Sequence, residues 1–187
     1  LGADGTLTRH TAMIPGGIPT CAALRHDDGV TLGVVSLGGD GFTGGAACID
    51  LRAAIQATRR SYPVWKQVDG RPVGGALSHD VDGDGQTELV VAGLDGFANV
   101  LDAVNGQSKG RHALGVLVRG LVVLGAGDDS RYVALTEAGL VLYDAFWKVC
   151  GNVPGHFCAL TVLDPDRDTL ATVTDTGELR IYTLASD

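Results

Sequence analysis

Apolar residues in this chain gather in short runs closed by turns of glycine and aspartate, and within a run apolar and polar positions alternate. In "ELRIYT", Leu179 and Ile181 fall on one face of an extended segment and Arg180 and Tyr182 on the other, the period-two pattern of a β-strand. The runs recur in a fixed order: an apolar run, a turn, a second apolar run, a tight glycine turn and a third apolar run. The clearest copy is "VGGALSHDVDGDGQTELVVAGLDGFANVLDA", Val73 to Ala103. It is followed by "VRGLVVLGAGDDSRYVALTEAGLVLYDA", Val118 to Ala145, and "GHFCALTVLDPDRDTLATVTDTGELRIYTLA", Gly155 to Ala185. A looser copy spans Ile18 to Leu51.

The glycine before each third run sets the period. Gly45, Gly96, Gly139 and Gly177 stand 51, 43 and 38 residues apart, and Gly5 precedes Gly45 by 40. A period near forty with three or four short strands per unit is that of β-propeller blades. The chain is therefore expected to be all-β, a β-propeller of about four blades of antiparallel strands. The expected division is a blade remnant over residues 1–14 and blades over about 18–69, 73–115, 117–153 and 156–187. The longest spacing holds "LRAAIQATRR", Leu51 to Arg60, expected as a short helix or a decorated loop between blades. Both ends of the sequence read as supplying a third strand, whereas a ring closed by its own ends needs complementary strands. That phase favours a segment of a larger propeller of six to eight blades over a stand-alone four-bladed ring.

Composition agrees with this reading. Of 187 residues, 28 are Gly and 19 are Asp against 3 Glu, while Arg outnumbers Lys by 11 to 3, so turn formers outweigh the helix formers Glu and Lys. The net charge of −8 repels nucleic acid and anionic lipid, and the densest basic spot is only Arg59-Arg60. No apolar stretch reaches the roughly 18 to 20 residues that span a bilayer, and "LGADGTLTRH" is not a signal peptide. The expected partners are other protein subunits or the remainder of the propeller, with no nucleic acid and no membrane insertion.

The chemistry concentrates in "DVDGDGQTE". Asp80, Asp82 and Asp84 take positions 1, 3 and 5 of a curled loop, Gln86 offers its backbone carbonyl at 7, and Glu88 falls at 9. Alternate carboxylates converge inside such a loop, Gly83 and Gly85 permit the curl, and hard oxygen ligands select calcium over magnesium. Val91 stands where an EF-hand carries its bidentate glutamate, and strands rather than helices flank the loop, so this is not an EF-hand. One structural calcium ion is expected, held by Asp80, Asp82, Asp84, Gln86 and Glu88; the alternative is a metal-free Asp/Gly turn. Asp164, Asp166 and Asp168 repeat the spacing but lack the glycines and enclose Arg167, which argues against metal there.

The stretch "DVDGDGQTELVVAGLDGFANVLDAVNGQ" resembles an FG-GAP/VCBS-type (integrin-alpha-like) propeller repeat, whose hallmark is a DxDxDG loop followed by an apolar strand. The resemblance implies a β-propeller whose aspartate loop binds calcium. "DGFANVLDAVNGQ" also resembles a PQQ-like blade ending, which implies outer-strand positions for Trp65 in "VWKQVDG" and Trp147 in "FWKVCGN". Similar propellers occur in integrins at the cell surface and in intracellular ciliary complexes, so localisation stays open.

Catalytic signatures are missing: the sequence holds no Gly-x-Ser-x-Gly, no His-x-x-x-His and no phosphate loop, and its five histidines are scattered singly. A quinoprotein dehydrogenase would carry a vicinal Cys-Cys, which is absent. Cys21 and Cys158 are expected as small buried hydrophobes on inner strands, and Cys150 and Cys158 are placed where a bridge between blades could form. The resulting expectation is a noncatalytic scaffold for protein–protein interaction, with contacts through "LRAAIQATRRSYP" and the loops at Asp128-Asp129 and Gly151 to Gly155. A carbohydrate-binding propeller and a part of a PQQ-type enzyme are the alternatives.

Overall fold

The computed structural model describes residues 19–26, 29–37, 44–50, 64–68, 73–164 and 168–184. Those residues form fifteen strands and one turn of 3-10 helix. The first sheet comprises β1 (Pro19–His26), β2 (Gly29–Leu37), β3 (Gly44–Asp50) and β4 (Trp65–Val68). The second holds β5 (Val73–His79), β6 (Glu88–Gly93), β7 (Phe97–Asp102) and β8 (Ser108–Ala113). The third holds β9 (Gly120–Leu124), β10 (Arg131–Leu135), β11 (Gly139–Tyr143) and β12 (Val149–Pro154), and the fourth β13 (Phe157–Asp164), β14 (Thr169–Thr174) and β15 (Leu179–Thr183). Every sheet is an antiparallel meander with its strands in sequence order. The fold is the all-β propeller that the period predicts.

The sheets stack face to face, and the core lies between them. In β6 the run Leu89-Val90-Val91-Ala92 is buried on both sides, which is why it is continuously apolar. Leu89 and Val91 join Ala46 and Cys48 of the first sheet, while Val90 and Ala92 join Leu121, Tyr132 and Ala134 of the third. The same division recurs along β10. Tyr132 and Ala134 point back to the second sheet, and Val133 and Leu135 point forward to Phe157 and Leu170 of the fourth. Burying each Leu or Val side chain contributes roughly 1.5–3 kcal/mol, so each sheet depends on its neighbours for the burial that holds it.

The first strands of successive sheets lie side by side, β5 between β1 and β9 and β9 between β5 and β13. Gly74 and Gly75 make that approach possible. A Cβ on Gly74 would collide with the Val118 carbonyl, and one on Gly75 would lie 2.8 Å from the Leu121 backbone nitrogen. Hydrogen bonds then tie sheet to sheet. Trp65 Nε1 donates to the Ala103 carbonyl at 2.9 Å, His79 Nε2 pairs with Ser130 Oγ at 2.8 Å, and the Tyr143 hydroxyl donates to the Leu114 carbonyl at 2.9 Å. In these antiparallel meanders the β5–β6, β7–β8, β9–β10 and β11–β12 connections leave at one end, where the His79–Ser130 bond joins the second sheet to the third.

Three expectations are corrected. Gly151 to Pro154 belong to strand β12, paired with β11 through Leu142–Gly151 to Gly139–Pro154, and not to a loop. Cys158 is exposed rather than buried, as the unpaired residue of a register shift between Phe157 and Ala159 on β13; Cys150 is exposed too, and both are free thiols. Trp147 lies in the β11–β12 turn rather than on an outer strand, at φ 63°. The expected helix at Leu51 to Arg60 falls outside the described residues. No helix of the described residues is long and apolar enough to cross a membrane.

Candidate metal centre

Residues 80–87 connect β5 to β6, and their aspartates organise the loop through local hydrogen bonds. Asp80 accepts from the amides of Gly83 at 2.8 Å and Gly85 at 2.9 Å, one on each carboxylate oxygen. Asp82 accepts from the Asp84 amide at 3.3 Å, and Asp84 from the Gln86 amide at 2.7 Å. These side-chain turns substitute for backbone pairing and hold the chain in a tight curl. Gly83 and Gly85 sit at φ +74° and +83°, a region that favours glycine.

Glu88 opens β6 and is buried, at 1% exposure. One of its oxygens accepts from the Val81 amide at 2.9 Å. The other accepts from the Lys109 ammonium at 2.6 Å. Lys109 also stands 3.1 Å from Asp82 Oδ2 and 3.6 Å from Asp84 Oδ2. Its position follows from a β-bulge. β8 pairs Val100 with Gly110 and Leu101 with Ser108, so Lys109 is the extra residue, turned out of the ladder toward the loop. The Glu88 hydrogen bond pushes the Lys109 ammonium pKa up, and Lys109 holds the Asp82 carboxyl below its ordinary value.

The expected ligands do not converge equally. Carboxylate oxygens of Asp80, Asp82 and Glu88 lie within 4.8 Å of one another, a grouping that could hold a metal ion. Asp84 lies outside this triad: one of its oxygens takes the Gln86 amide and the other accepts from the Gln86 side chain at 3.4 Å. Three hard carboxylates on a curled loop fit calcium in donor chemistry. The ammonium of Lys109 lies among the same oxygens, so a metal ion would displace it. Nothing in the order of residues announces Lys109, which lies 21 positions beyond Glu88. In the second aspartate stretch, Asp164 ends β13 and Asp168 adopts φ +46°, while Asp166 lies outside the described residues.

The remaining singled-out side chains are packed. Burial lowers the His79 pKa, against the opposing pull of Asp80 and Glu88, and its ring meets Tyr132 edge-on at 5.9 Å. Trp147 stacks on Tyr132 at 4.0 Å and on His112 at 5.3 Å and is buried, which leaves it no open face for a sugar ring. Trp65 packs against the core between the first and second sheets.

No family model matches the chain, and no curated protein matches it. Solved structures do. A chain in the crystal structure of an active polycomb repressive complex 2 in the basal state superposes with a TM-score of 0.72 at 11% identity, over 99% of this chain and 42% of that one. A chain of the Chaetomium thermophilum Polycomb Repressive Complex 2 gives 0.69 at 10% identity, over 97% and 44%. BBS1N, in its complex with ARL6DN, gives 0.56 at 12% identity, over 89% and 55%. These neighbours are β-propeller proteins, and this chain spans about half their length or less.

Proposed function

We propose that this chain is part of a noncatalytic β-propeller scaffold of the FG-GAP/VCBS kind, binding other proteins through the end of the sheets that carries the aspartate loop. The observation that carries this reading is a pair of equivalent turns at that end. In the β7–β8 turn Asp102 accepts from the Val104 amide at 2.8 Å, and in the β11–β12 turn Asp144 accepts from the Phe146 amide at 3.0 Å. Each turn projects one large apolar side chain: Val104 is 58% exposed and Phe146 78%. Exposed apolar side chains on rigid turns are a common form of protein contact. The exposed Asp128-Asp129 turn leaves at the same end; "LRAAIQATRRSYP" lies outside the described residues. The propeller neighbours support the reading, since their structures are of protein complexes.

Calcium serves this scaffold structurally. Asp80, Asp82 and Glu88 would hold the ion, with Asp84 and the Gln86 carbonyl as the remaining candidates, and the bound charge would offset the repulsion among the carboxylates. The test of the scaffold is affinity capture followed by binding of the purified partner to wild type and to Val104→Asp/Phe146→Asp. Loss of binding at unchanged melting temperature supports the reading. Unchanged binding by the double variant defeats it.

A further inference from the structure

Each sheet of this fold buries the face it turns to the next, and strand register identifies that face. In the second sheet Ala98 pairs with Ala92 and Val100 with Val90; these four residues meet the third sheet, and Ala98 and Val100 are 0% and 3% exposed. In the third sheet the equivalent residue Leu140 pairs with Leu135, and both are buried against the fourth. On the corresponding face of the fourth sheet, Leu179 pairs with Val173 and Ile181 with Ala171. Here Leu179 is 64% exposed and Ile181 60%.

The first strand of the fourth sheet adds Ala159 and Thr161, partners of Val173 and Ala171, to the same face. No charge interrupts this set. Arg180 and Tyr182 lie on the opposite face, where Tyr182 packs toward Phe157 and Leu170. A surface of Leu, Ile, Val and Ala with a single Thr on the face of one sheet is costly to leave in water.

We infer that this face, centred on Leu179 and Ile181, is covered by a further antiparallel sheet of the same propeller, carried by the same polypeptide. The inference rests on the propeller reading above. Two observations favour a further sheet over a second copy. Every covered face among the described residues meets a sheet adjacent to its own in sequence, first strand beside first strand. The propellers that this chain matches are longer, since it spans 42%, 44% and 55% of them, so the architecture accommodates additional sheets.

Site-resolved thiol labelling tests the inference. Ile181→Cys and Leu179→Cys are made separately in the complete natural polypeptide, and maleimide uptake at each position is read by mass spectrometry, beside sedimentation over a range of concentrations. Two positions keep the test open if one variant fails to fold. Burial under a further sheet predicts labelling at least about tenfold slower in the native protein than in denaturant, at every concentration and in a monomer. Labelling as fast in the native protein as in denaturant overturns the inference. Protection that appears only where dimers form overturns it too, because a second copy is then the cover. Partner binding plays no part in this readout, so it fails separately from the scaffold reading.

Discussion

The Lys109 ammonium lies 2.6 Å from the buried carboxylate of Glu88, in the middle of the acidic loop that the sequence marks for a metal ion. A β-bulge delivers it there from β8, the outermost strand of the second sheet. The protein thus supplies a cation of its own to a site whose carboxylates repel one another, and a calcium ion bound there would compete with Lys109 for the same oxygens.

Lys109→Met should therefore destabilise the calcium-free protein. Removing the ammonium leaves Glu88 buried without its counter-charge, at a cost of about 2–3 kcal/mol. Adding Glu88→Gln should return part of that loss, since the buried charge is then gone. Urea unfolding of both single variants and the double variant measures the coupling. A Lys109→Met midpoint equal to wild type would mean that the pair contributes nothing.

Gly75→Ala tests the packing of first strands. Its new methyl group would lie 2.8 Å from the Leu121 backbone nitrogen and 3.0 Å from the Gly120 carbonyl carbon, so β5 and β9 must separate. Overpacking of this kind costs about 1–3 kcal/mol, and thermal melting should record it. A melting temperature at or above that of wild type would show that the two strands do not meet as described.

The tyrosines give an alkaline prediction. Burial pushes the Tyr132 hydroxyl up to about 12, with the Glu88 charge adding to the effect, and burial also raises Tyr143, whose hydroxyl donates to the Leu114 carbonyl. A group whose folded pKa is raised contributes stability that is complete below its unfolded value, near 10. That contribution disappears as pH rises through the folded value near 12. Stability should fall between these limits, and Tyr132→Phe should flatten the fall. Phenolate absorbance that titrates fully near pH 10 in the folded protein would contradict this.

Local chemistry made much of the molecule legible. Alternation and the glycine period identify a propeller, because a strand's faces and a turn's glycine are fixed within a few residues. The aspartate loop is equally local. Lys109 is not, since a bulge in the polar strand "SKGRHA" leaves no mark on alternation and the contact spans 21 positions. β12 reads as a loop because Gly151, Asn152 and Pro154 are turn formers, yet pairing with β11 overrides that preference at a sheet edge. Cys158 sits in the nearly continuous apolar run "FCALTVL", which hides the register shift that leaves it exposed.

Calorimetric titration with calcium of wild type, Asp82→Ala and Lys109→Met is the most direct test of the acidic loop as a calcium site of the scaffold. One binding event in wild type, lost in Asp82→Ala and tightened in Lys109→Met, is the predicted result. Absence of binding heat in both wild type and Lys109→Met, with melting temperatures indifferent to calcium, would contradict it and leave the loop an Asp/Gly turn closed by its own lysine.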